Sequence, residues 1–345
     1  MTSLPTVLES EIDDFISVLP KVELHLHLEG TLEPELAFEL AARNGVGLPY
    51  ANVEAMRAAY DFTDLQSFLD LYYAACAVLV TREDFRELTL AYLRRAAEDN
   101  VRHVEPFFDP QTHTERGVAF DTVIAGILDG LAEGERELGI TSGLILSFLR
   151  DLSAESAHAT LDSAKPWLAE LVGVGLDSAE IGNPPEKFAD VYERAGRLGL
   201  KRVAHAGEEG GADLVTRTLD VLHVERIDHG VRSAHDPSLV ARLVAERVPL
   251  TVCPLSNTRL RVFPTMKESP LKTLLDAGVL VTVNSDDPAY FGGHIGENFR
   301  AAAAGLALTR EDLVTLTENA IEASFADDER KGELRRELDA VTALS

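Results

Sequence analysis

Eight short apolar runs recur along the 345 residues of this sequence, and each is bounded by glycine, proline, asparagine or aspartate. Stretches with helical spacing, such as residues 188–199 and 237–247, lie between most of them. Strands that alternate with helices are typical of parallel βαβ units, and eight such units predict an α/β fold of the (β/α)8, or TIM, barrel type. The runs interpreted as strands are residues 21–28, 102–108, 143–149, 171–176, 201–206, 226–231, 249–254 and 279–284.

A doubly wound open sheet is the alternative architecture, but no Gly-x-Gly-x-x-Gly motif follows a predicted strand. The first and second strands are far apart in sequence, and three helical patterns, at residues 34–44, 64–79 and 82–100, lie between them. We interpret these extra helices as an insertion over the mouth of the barrel, a common place for a lid. Helices that only pack on the barrel are the alternative. With no repeat or linker in the sequence, we expect a single domain over residues 1–345.

Charge and composition exclude several classes of partner. The net charge is −26, from 32 basic and 58 acidic residues, so phosphate backbones would be repelled and we expect no nucleic-acid partner. No apolar window of about 18 residues predicts a membrane span, and the acidic segment Met1–Asp14 does not resemble a signal peptide. Cys76 and Cys253 form no disulfide framework, which favours the cytoplasm. The oligomeric state stays open, a homo-oligomer included.

The first predicted strand carries two histidines on one face. Its sequence, VELHLHL from Val22 to Leu28, alternates aliphatic residues with Glu23, His25 and His27. At about 3.3 Å per residue, the two imidazoles project from the same side roughly 7 Å apart. Two histidines on a rigid strand are able to chelate one metal ion. A solvated polar face is the alternative for this segment taken alone.

Polar side chains also follow three other predicted strands at the same end of the barrel. His205 and Glu208 follow the fifth strand, His229 ends the sixth, and Asp286 and Asp287 follow the eighth. Active sites of such barrels lie at the C-terminal ends of the strands. Three histidines and one carboxylate suit zinc with one position left open for water. The sequence therefore predicts a metal centre at this end.

Each of these residues also has a structural interpretation. His205 alone could be a hydrogen-bonded core histidine, Glu208 could be a charge at a helix N-terminus, and Asp287 could be a helix cap before Pro288. The His-x-Glu at residues 27–29 also occurs in zinc deaminases of the cytidine-deaminase type. Their signature requires a Pro-Cys-x-x-Cys as well, which this sequence lacks.

Four motifs, in chain order, resemble those of the adenosine/adenine deaminases of the amidohydrolase superfamily. They are LPKVELHLHLEG at residues 19–30, HAGE at 205–208, DHGV at 228–231 and SDDP at 285–288. Three further segments are similar to the adenine deaminase branch of that family. They are PFFDPQTHT at residues 106–114, CPLSN at 253–257 and DPAYFGG at 287–293. The resemblance runs over nearly the whole chain.

This resemblance implies one zinc ion per chain, held by His25, His27, His205 and Asp286. Relatives with two metals use a lysine on the fourth strand as a bridge, and residues 172–182 contain no lysine. The resemblance thus implies a centre with a single metal ion.

The resemblance also implies roles for four other residues. Glu208 is the expected proton donor to purine N1, and His229 is expected to orient and deprotonate the attacking water. Asp287 is the expected partner of N7, and the backbone amide of Gly182 the expected partner of N3.

The implied reaction is the hydrolytic deamination of adenine to hypoxanthine and ammonia, in purine salvage. A deaminase of adenosine or another 6-aminopurine derivative is one alternative, and a catalytically silent purine-binding protein is another. Silent relatives usually lose a ligand or the acid, whereas here every position is filled. Phe107, Phe108, Tyr290 and Phe291 could also favour the free base by filling the space that a ribose needs, with barrel packing as their alternative role.

Overall fold

The computed structural model describes residues 7–343, with side chains from residue 11 onward, and it contains strands at all eight predicted positions. Two of the positions are divided, the second into β2 and β3 and the third into β4 and β5. The strands are β1 (Lys21–Glu23), β2 (Val101–Val104), β3 (Phe107–Phe108), β4 (Thr141–Ser142), β5 (Leu144–Leu149), β6 (Leu171–Asp177), β7 (Lys201–Ala206), β8 (Arg226–His229), β9 (Leu250–Val252) and β10 (Val281–Val283).

The strands form a closed ring of parallel pairs. One sheet has the order β1-β2-β4, and the other has the order β10-β9-β8-β7-β6-β5-β3. The residues after β1 join their edges, since His27 N–H donates to Asp286 O at 3.0 Å and Leu28 N–H donates to Phe107 O at 3.0 Å. These bonds link the first strand position to both the eighth and the second. The predicted (β/α)8 barrel is confirmed.

Regular pairing of the first strand is shorter than the sequence predicts. β1 ends at Glu23, because the Leu24 N–H donates to the side-chain oxygen of Asn284 at 2.9 Å. Pairing resumes as isolated bridges from Leu26 to Asp286 and from His27 to Phe107. The predicted strand over residues 21–28 is therefore interrupted in its middle by a side chain from the far end of the chain.

Helices fill the intervals between the strands. The α-helices are α1 (Val7–Val18), α2 (Pro34–Asn44), α3 (Val53–Ala58), α4 (Leu65–Cys76), α5 (Arg82–Glu98), α6 (Pro110–Thr114), α7 (Phe120–Leu138), α8 (Ala154–Ser163), α9 (Ala189–Arg197), α10 (Ala212–Leu222), α11 (Pro237–Glu246), α12 (Pro254–Arg259), α13 (Leu271–Asp276), α14 (Pro288–Phe291), α15 (Ile295–Leu306), α16 (Arg310–Ala323) and α17 (Asp328–Ala343). Short 3-10 helices span Glu29–Thr31, Lys165–Glu170, Pro185–Phe188, Val231–His235 and Met266–Glu268.

The predicted insertion between the first and second strands is present as α2 to α5. Asp64 and Thr81 start α4 and α5 with capping boxes, in which their side chains accept from the N–H groups of Ser67 and Asp84. α5 packs closely on α7, where a Cβ on Gly126 would lie 2.3 Å from a backbone oxygen of α5. The extra helices are confirmed, while motion of a lid stays a prediction.

Buried apolar residues from the strands and from the surrounding helices form one large hydrophobic cluster, which runs from Phe15 to Leu338. In the part of the chain that the structure covers, no helix combines the length and apolar character of a membrane span. The single domain stays a prediction. Residues 1–6 of the acidic N-terminal segment, and residues 344–345, lie outside the described residues.

Candidate active site

A cavity opens at the C-terminal ends of the barrel strands. Six of the predicted site residues line it, and they come from the first, fifth, sixth and eighth strand positions: His27, His205, Glu208, His229, Asp286 and Asp287. His25 is fully buried directly behind this wall, with its ring centroid 4.6 Å from that of His205. The fold thus brings together side chains that are up to 260 residues apart in sequence.

The four predicted metal ligands point nitrogen and oxygen atoms at one centre. His25 Nε2 lies 3.1 Å from Asp286 Oδ1, and His27 Nε2 lies 3.5 Å from the same oxygen. His27 Nε2 and His205 Nε2 are 3.2 Å apart. Two ligand atoms bound at 2.0–2.1 Å to one tetrahedral ion lie about 3.3 Å apart. The spacing is therefore the one that a single bound metal ion produces.

The outer ring nitrogen of His25 has hydrogen-bonding partners that leave its Nε2 free, whereas that of His205 makes no hydrogen bond among the described residues. His25 Nδ1 lies 3.2 Å from Thr251 O and 2.9 Å from Thr251 Oγ1, and that hydroxyl donates to Asp228 Oδ1 at 2.9 Å. His205 Nδ1 faces the second oxygen of Asp228 at 3.7 Å. A proton on Nδ1 places the lone pair on Nε2, which is the form that binds metals.

Without a cation the same arrangement would be unfavourable. His25 Nε2 is buried and has no hydrogen-bonding partner among the described residues. Nε2 lone pairs of His27 and His205 that face each other at 3.2 Å would repel. A bound cation removes both problems, so the residues fit a metal ion. Asp286 suits the same role, because burial raises its pKa but the nearby His25 and His229 outweigh this and hold the pKa well below its usual range.

His229 lies between the metal-ligand cluster and Glu208. Its Nε2 is 3.7 Å from Asp286 Oδ2 and 3.5 Å from Glu208 Oε1. The potential ligand atoms of His25, His205, His229 and Asp286 all lie within 4.8 Å of one another, and His27 falls outside that particular set. His27 stays among the predicted ligands, because its Nε2 lies 3.2 Å from His205 Nε2 and 3.5 Å from Asp286 Oδ1, whereas His229 Nε2 lies 3.7 Å from Asp286 Oδ2.

Burial keeps Glu208 and His229 in their uncharged forms. The pKa of Glu208 is raised well above its usual range by burial and by the negative charges of Asp286 and Glu180. Burial and the neighbouring His25 lower the pKa of His229 to about 3. Both shifts favour the uncharged forms, a protonated carboxyl on Glu208 next to a neutral imidazole on His229. Glu208 lies before Gly211, the N-cap of α10, and so does not serve as a helix-terminal charge.

Asp287 lines the cavity and is not a helix cap. Its side chain makes no capping bond to α14, and its Oδ1 has no partner among the described residues. Burial and the adjacent Asp286 raise its pKa well above the usual range. It packs against Gly30, where a Cβ would lie 1.9 Å from Asp287 Oδ1, so only glycine fits at that position.

Gly182 is the predicted site residue that the structure keeps apart from the others. It is exposed in the loop after β6, next to Ile181, and borders a separate surface depression. Asp177 and Ser178 line the cavity at this strand position instead. Gly182 therefore does not line this cavity, and its expected contact with purine N3 stays a prediction.

The aromatic residues that were expected to restrict the pocket divide into two groups. Phe291 lines the cavity, whereas Phe107 packs against the rings of His25 and His27, and Phe108 and Tyr290 are buried elsewhere. The insertion supplies a further part of the wall, through five residues of α4: Leu65, Phe68, Leu69, Tyr72 and Tyr73. Sequence reasoning did not identify them, because strand-end position does not reveal where an inserted helix lies.

Two further carboxylates line the cavity near His27. Asp177 Oδ2 is 3.5 Å from His27 Nδ1, and the potential ligand atoms of His27, Asp109 and Asp177 lie within 4.8 Å of one another. Burial and the nearby Asp109 raise the pKa of Asp177 well above its usual range. Asp109 directly follows β3 and Asp177 ends β6, so the strand-end criterion applied to His205 and Asp286 would also have selected them.

One buried carboxylate organises the loop that carries Glu208. Glu180 accepts four backbone N–H groups, from Gly207 at 2.8 Å, Glu208 at 3.2 Å, Glu209 at 3.0 Å and Gly210 at 2.9 Å. In return, the Glu209 side chain accepts from the Glu180 N–H at 3.0 Å. The sequence offered no signal for this role beyond the position of Glu180 shortly after a strand.

Comparison with known proteins agrees with this geometry. Residues 20–341 match the sequence profile of the family described as adenosine deaminase. An adenine deaminase of Cupriavidus pinatubonensis is 58% identical over 332 residues, which cover 96% of this chain and 95% of that protein.

Two solved structures are also similar. The crystal structure of adenine deaminase from Arthrobacter aurescens has a TM-score of 0.93 and 54% identity, covering 94% of this chain and 99% of the other. An amidohydrolase from Burkhoderia ambifaria, crystallised with bound Zn, has a TM-score of 0.90 and 28% identity, covering 99% and 96%. Together with the profile match over nearly its whole length, these similarities show that the chain belongs to the adenosine deaminase family.

Proposed function

We propose that this chain hydrolyses adenine to hypoxanthine and ammonia, using one zinc ion. The observation that carries the proposal is the position of two buried residues, Glu208 and His229, beside a cluster of side chains that could hold a metal ion. The pKa of Glu208 is raised and that of His229 is lowered, and both shifts favour the uncharged forms. The adenine deaminases at 58% and 54% identity support adenine as the substrate.

Zinc would be held by His25, His27, His205 and Asp286, since three imidazoles and one carboxylate are typical zinc ligands. When bound, zinc lowers the pKa of water from about 15.7 to about 7 and so supplies hydroxide near neutral pH. The amidohydrolase with bound Zn supports this choice of metal.

The remaining chemistry falls to side chains of this chain. His229 accepts a proton from the attacking water as its oxygen bonds to C6 of the purine, and Glu208 donates a proton to N1, which neutralises the charge that the ring gains. Asp287 pairs with N7 and orients the ring. His229 then passes its proton to the amino nitrogen, the bond from C6 to that nitrogen breaks and ammonia leaves. The hydroxyl on C6 returns a proton to Glu208 as the carbonyl group of hypoxanthine forms.

Asn257 fixes the ring of His229 in this scheme. The amide nitrogen of Asn257, Nδ2, lies 3.2 Å from His229 Nδ1. The amide oxygen, Oδ1, has no partner among the described residues. An amide turned by 180° would present this oxygen to a protonated Nδ1. That orientation leaves His229 Nε2, on the side of Glu208, free to accept the proton of water.

The test is ammonia release from a panel of 6-aminopurines, including adenine and adenosine, with the metal content assayed on the same preparation. We expect about one zinc ion per chain and the highest kcat/KM for adenine. An equal or higher kcat/KM for adenosine would overturn the substrate. Purine binding without any ammonia release would show a catalytically silent protein instead.

We further propose that residues 1–345 form one domain that works in the cytoplasm. Both cysteines are buried and free, as is usual in a reducing compartment. A fractionation experiment that found the native protein outside the cytoplasm would overturn the location.

A further inference from the structure

Asp109 has a buried oxygen that no described residue satisfies. The residue is 3% exposed, lines the cavity and directly follows β3. Its Oδ2 accepts a hydrogen bond from the Tyr72 hydroxyl of α4 at 3.1 Å, whereas its Oδ1 has no partner among the described residues. An unsatisfied buried acceptor costs about 1–3 kcal/mol, so an oxygen of this kind in a cavity is expected to meet a donor from the ligand.

The rest of the molecule holds Asp109 in place without using that oxygen. Its side chain does not cap α6, although it occupies the N-cap position. Its backbone N–H donates to Glu29 Oε1 at 3.1 Å, and the same oxygen lies 2.8 Å from His113 Nε2. Both Glu29 and His113 are buried. The backbone of Asp109 is thus fixed by a buried network, and its side chain is directed by Tyr72.

We propose that Asp109 accepts the N–H of the five-membered ring of free adenine, and that this contact selects the free base over nucleosides. The inference rests on the proposed function, which gives the cavity a purine with Asp287 at N7. The second nitrogen of the same five-membered ring is N9. The catalytic scheme leaves two lining carboxylates unused, Asp109 and Asp177, and of these Asp109 is the one that a hydrogen bond, from Tyr72, holds in place.

The chemistry of the two ligand classes explains the selection. Free adenine carries a hydrogen on N9, whereas in a nucleoside N9 is bonded to the sugar and has no hydrogen to donate. A nucleoside would leave the Asp109 oxygen unpaired and press its sugar against the wall formed by Phe68 and Tyr72. Sites built to bond a substrate N–H reject analogues that lack it far more strongly than apolar pockets reject a missing methylene.

The test compares adenine with 9-methyladenine, which lacks the same hydrogen but adds only a methyl group. We would measure kcat/KM on both compounds for the wild-type protein, Asp109→Ala and Asp109→Asn. If 9-methyladenine is not turned over, its inhibition constant Ki against adenine deamination is measured instead. We expect Asp109→Ala to lose about 10- to 100-fold in kcat/KM for adenine, which corresponds to the loss of a hydrogen bond to a charged group. The kcat/KM or Ki for 9-methyladenine should change less than about threefold. Asp109→Asn keeps the side-chain shape and an oxygen, so its loss should be smaller.

Tyr73→Phe is the matched control, because it removes another polar group from the cavity wall, the hydroxyl that donates to Ser178 at 3.2 Å. It should leave the ratio of the two compounds unchanged. Equal losses of kcat/KM on both compounds in Asp109→Ala would overturn the inference. It would also be overturned if the wild-type protein bound a second metal ion per chain and Asp109→Ala lost that ion. A wild-type protein that releases no ammonia from adenine would instead overturn the proposed function, and this inference with it.

Discussion

Glu208 and His229 are both buried, and burial acts on the two in opposite directions. It raises the pKa of the carboxyl, so that Glu208 keeps its proton, and it lowers the pKa of the imidazole to about 3, so that His229 lacks one. The two shifts thereby favour a proton donor and a proton acceptor side by side. The environment of single residues therefore suits the roles that we propose for them.

Replacing Glu208 should separate catalysis from binding. We expect Glu208→Gln to keep the metal and to bind purine, but to turn over at least about 100-fold more slowly, the usual scale for a lost general acid. Because only the protonated carboxyl donates, wild-type activity should fall as the pH rises through the elevated pKa of Glu208, and this alkaline limb should vanish in the variant. A loss below tenfold with an unchanged pH profile would reduce Glu208 to a structural residue.

Removing one imidazole should empty the metal centre. His27→Ala leaves His25, His205 and Asp286 without the nitrogen that lies 3.2 Å from His205 Nε2, so we expect loss of both metal and activity. His158→Ala, at a histidine outside the barrel centre, is the control and should retain both. Metal content and ammonia release, measured on both variants, test this prediction. Full metal occupancy with normal turnover in His27→Ala would contradict the assignment of His27 as a ligand.

The element that positions the acid is the loop from Gly207 to Gly210, and Glu180 anchors it. All four of its N–H groups converge on one carboxylate, which belongs to the neighbouring strand position. Gly207 has a φ of +73°, and a Cβ there would lie 2.5 Å from a Val215 methyl group, so the turn requires glycine. The placement of Glu208 thus depends on contacts that its own strand does not provide.

Glu180→Gln should impair catalysis through this loop. The amide group of glutamine offers only one acceptor oxygen, so some of the four N–H groups lose their partner, and kcat should fall at least about tenfold while KM changes little. Glu209→Gln is the matched control, since Glu209 accepts a single N–H at the margin of the same loop. Steady-state kinetics of both variants test this, and equal effects would argue against a special role for Glu180.

Most of the strands and helices could be predicted from sequence, because the periodic patterns that indicate them involve residues that are close together in the chain. The eight strand positions, the insertion and the residues at strand ends all follow from such patterns. The early end of β1 could not be predicted, since it depends on the Asn284 side chain. Neither could the wall formed by α4, nor the position of Gly182 outside the cavity lining, because each depends on the path of the chain in space.

At the scale of the whole molecule, the proposed metal centre joins three strand positions of one barrel, the first, fifth and eighth. A ligand that binds only the folded state stabilises it by mass action, by about 2.7 kcal/mol at a hundredfold excess over Kd. We therefore expect a single unfolding transition in scanning calorimetry that moves to lower temperature when a chelator removes the metal. Two separate transitions would contradict the single domain, and an unchanged transition temperature in metal-free protein would contradict the bridging centre.

The hydrogen bonds that close the barrel are made by the segment that would hold the metal. Asp286 N–H donates to His25 O at 3.1 Å and His27 N–H donates to Asp286 O, so the seam of the ring runs through three of the four proposed ligands. During synthesis His25 and His27 leave the ribosome long before Asp286 does. The complete set of four proposed ligands can form only after the eighth strand has emerged. We therefore expect the metal to bind late in the folding of each new chain, once the barrel has closed.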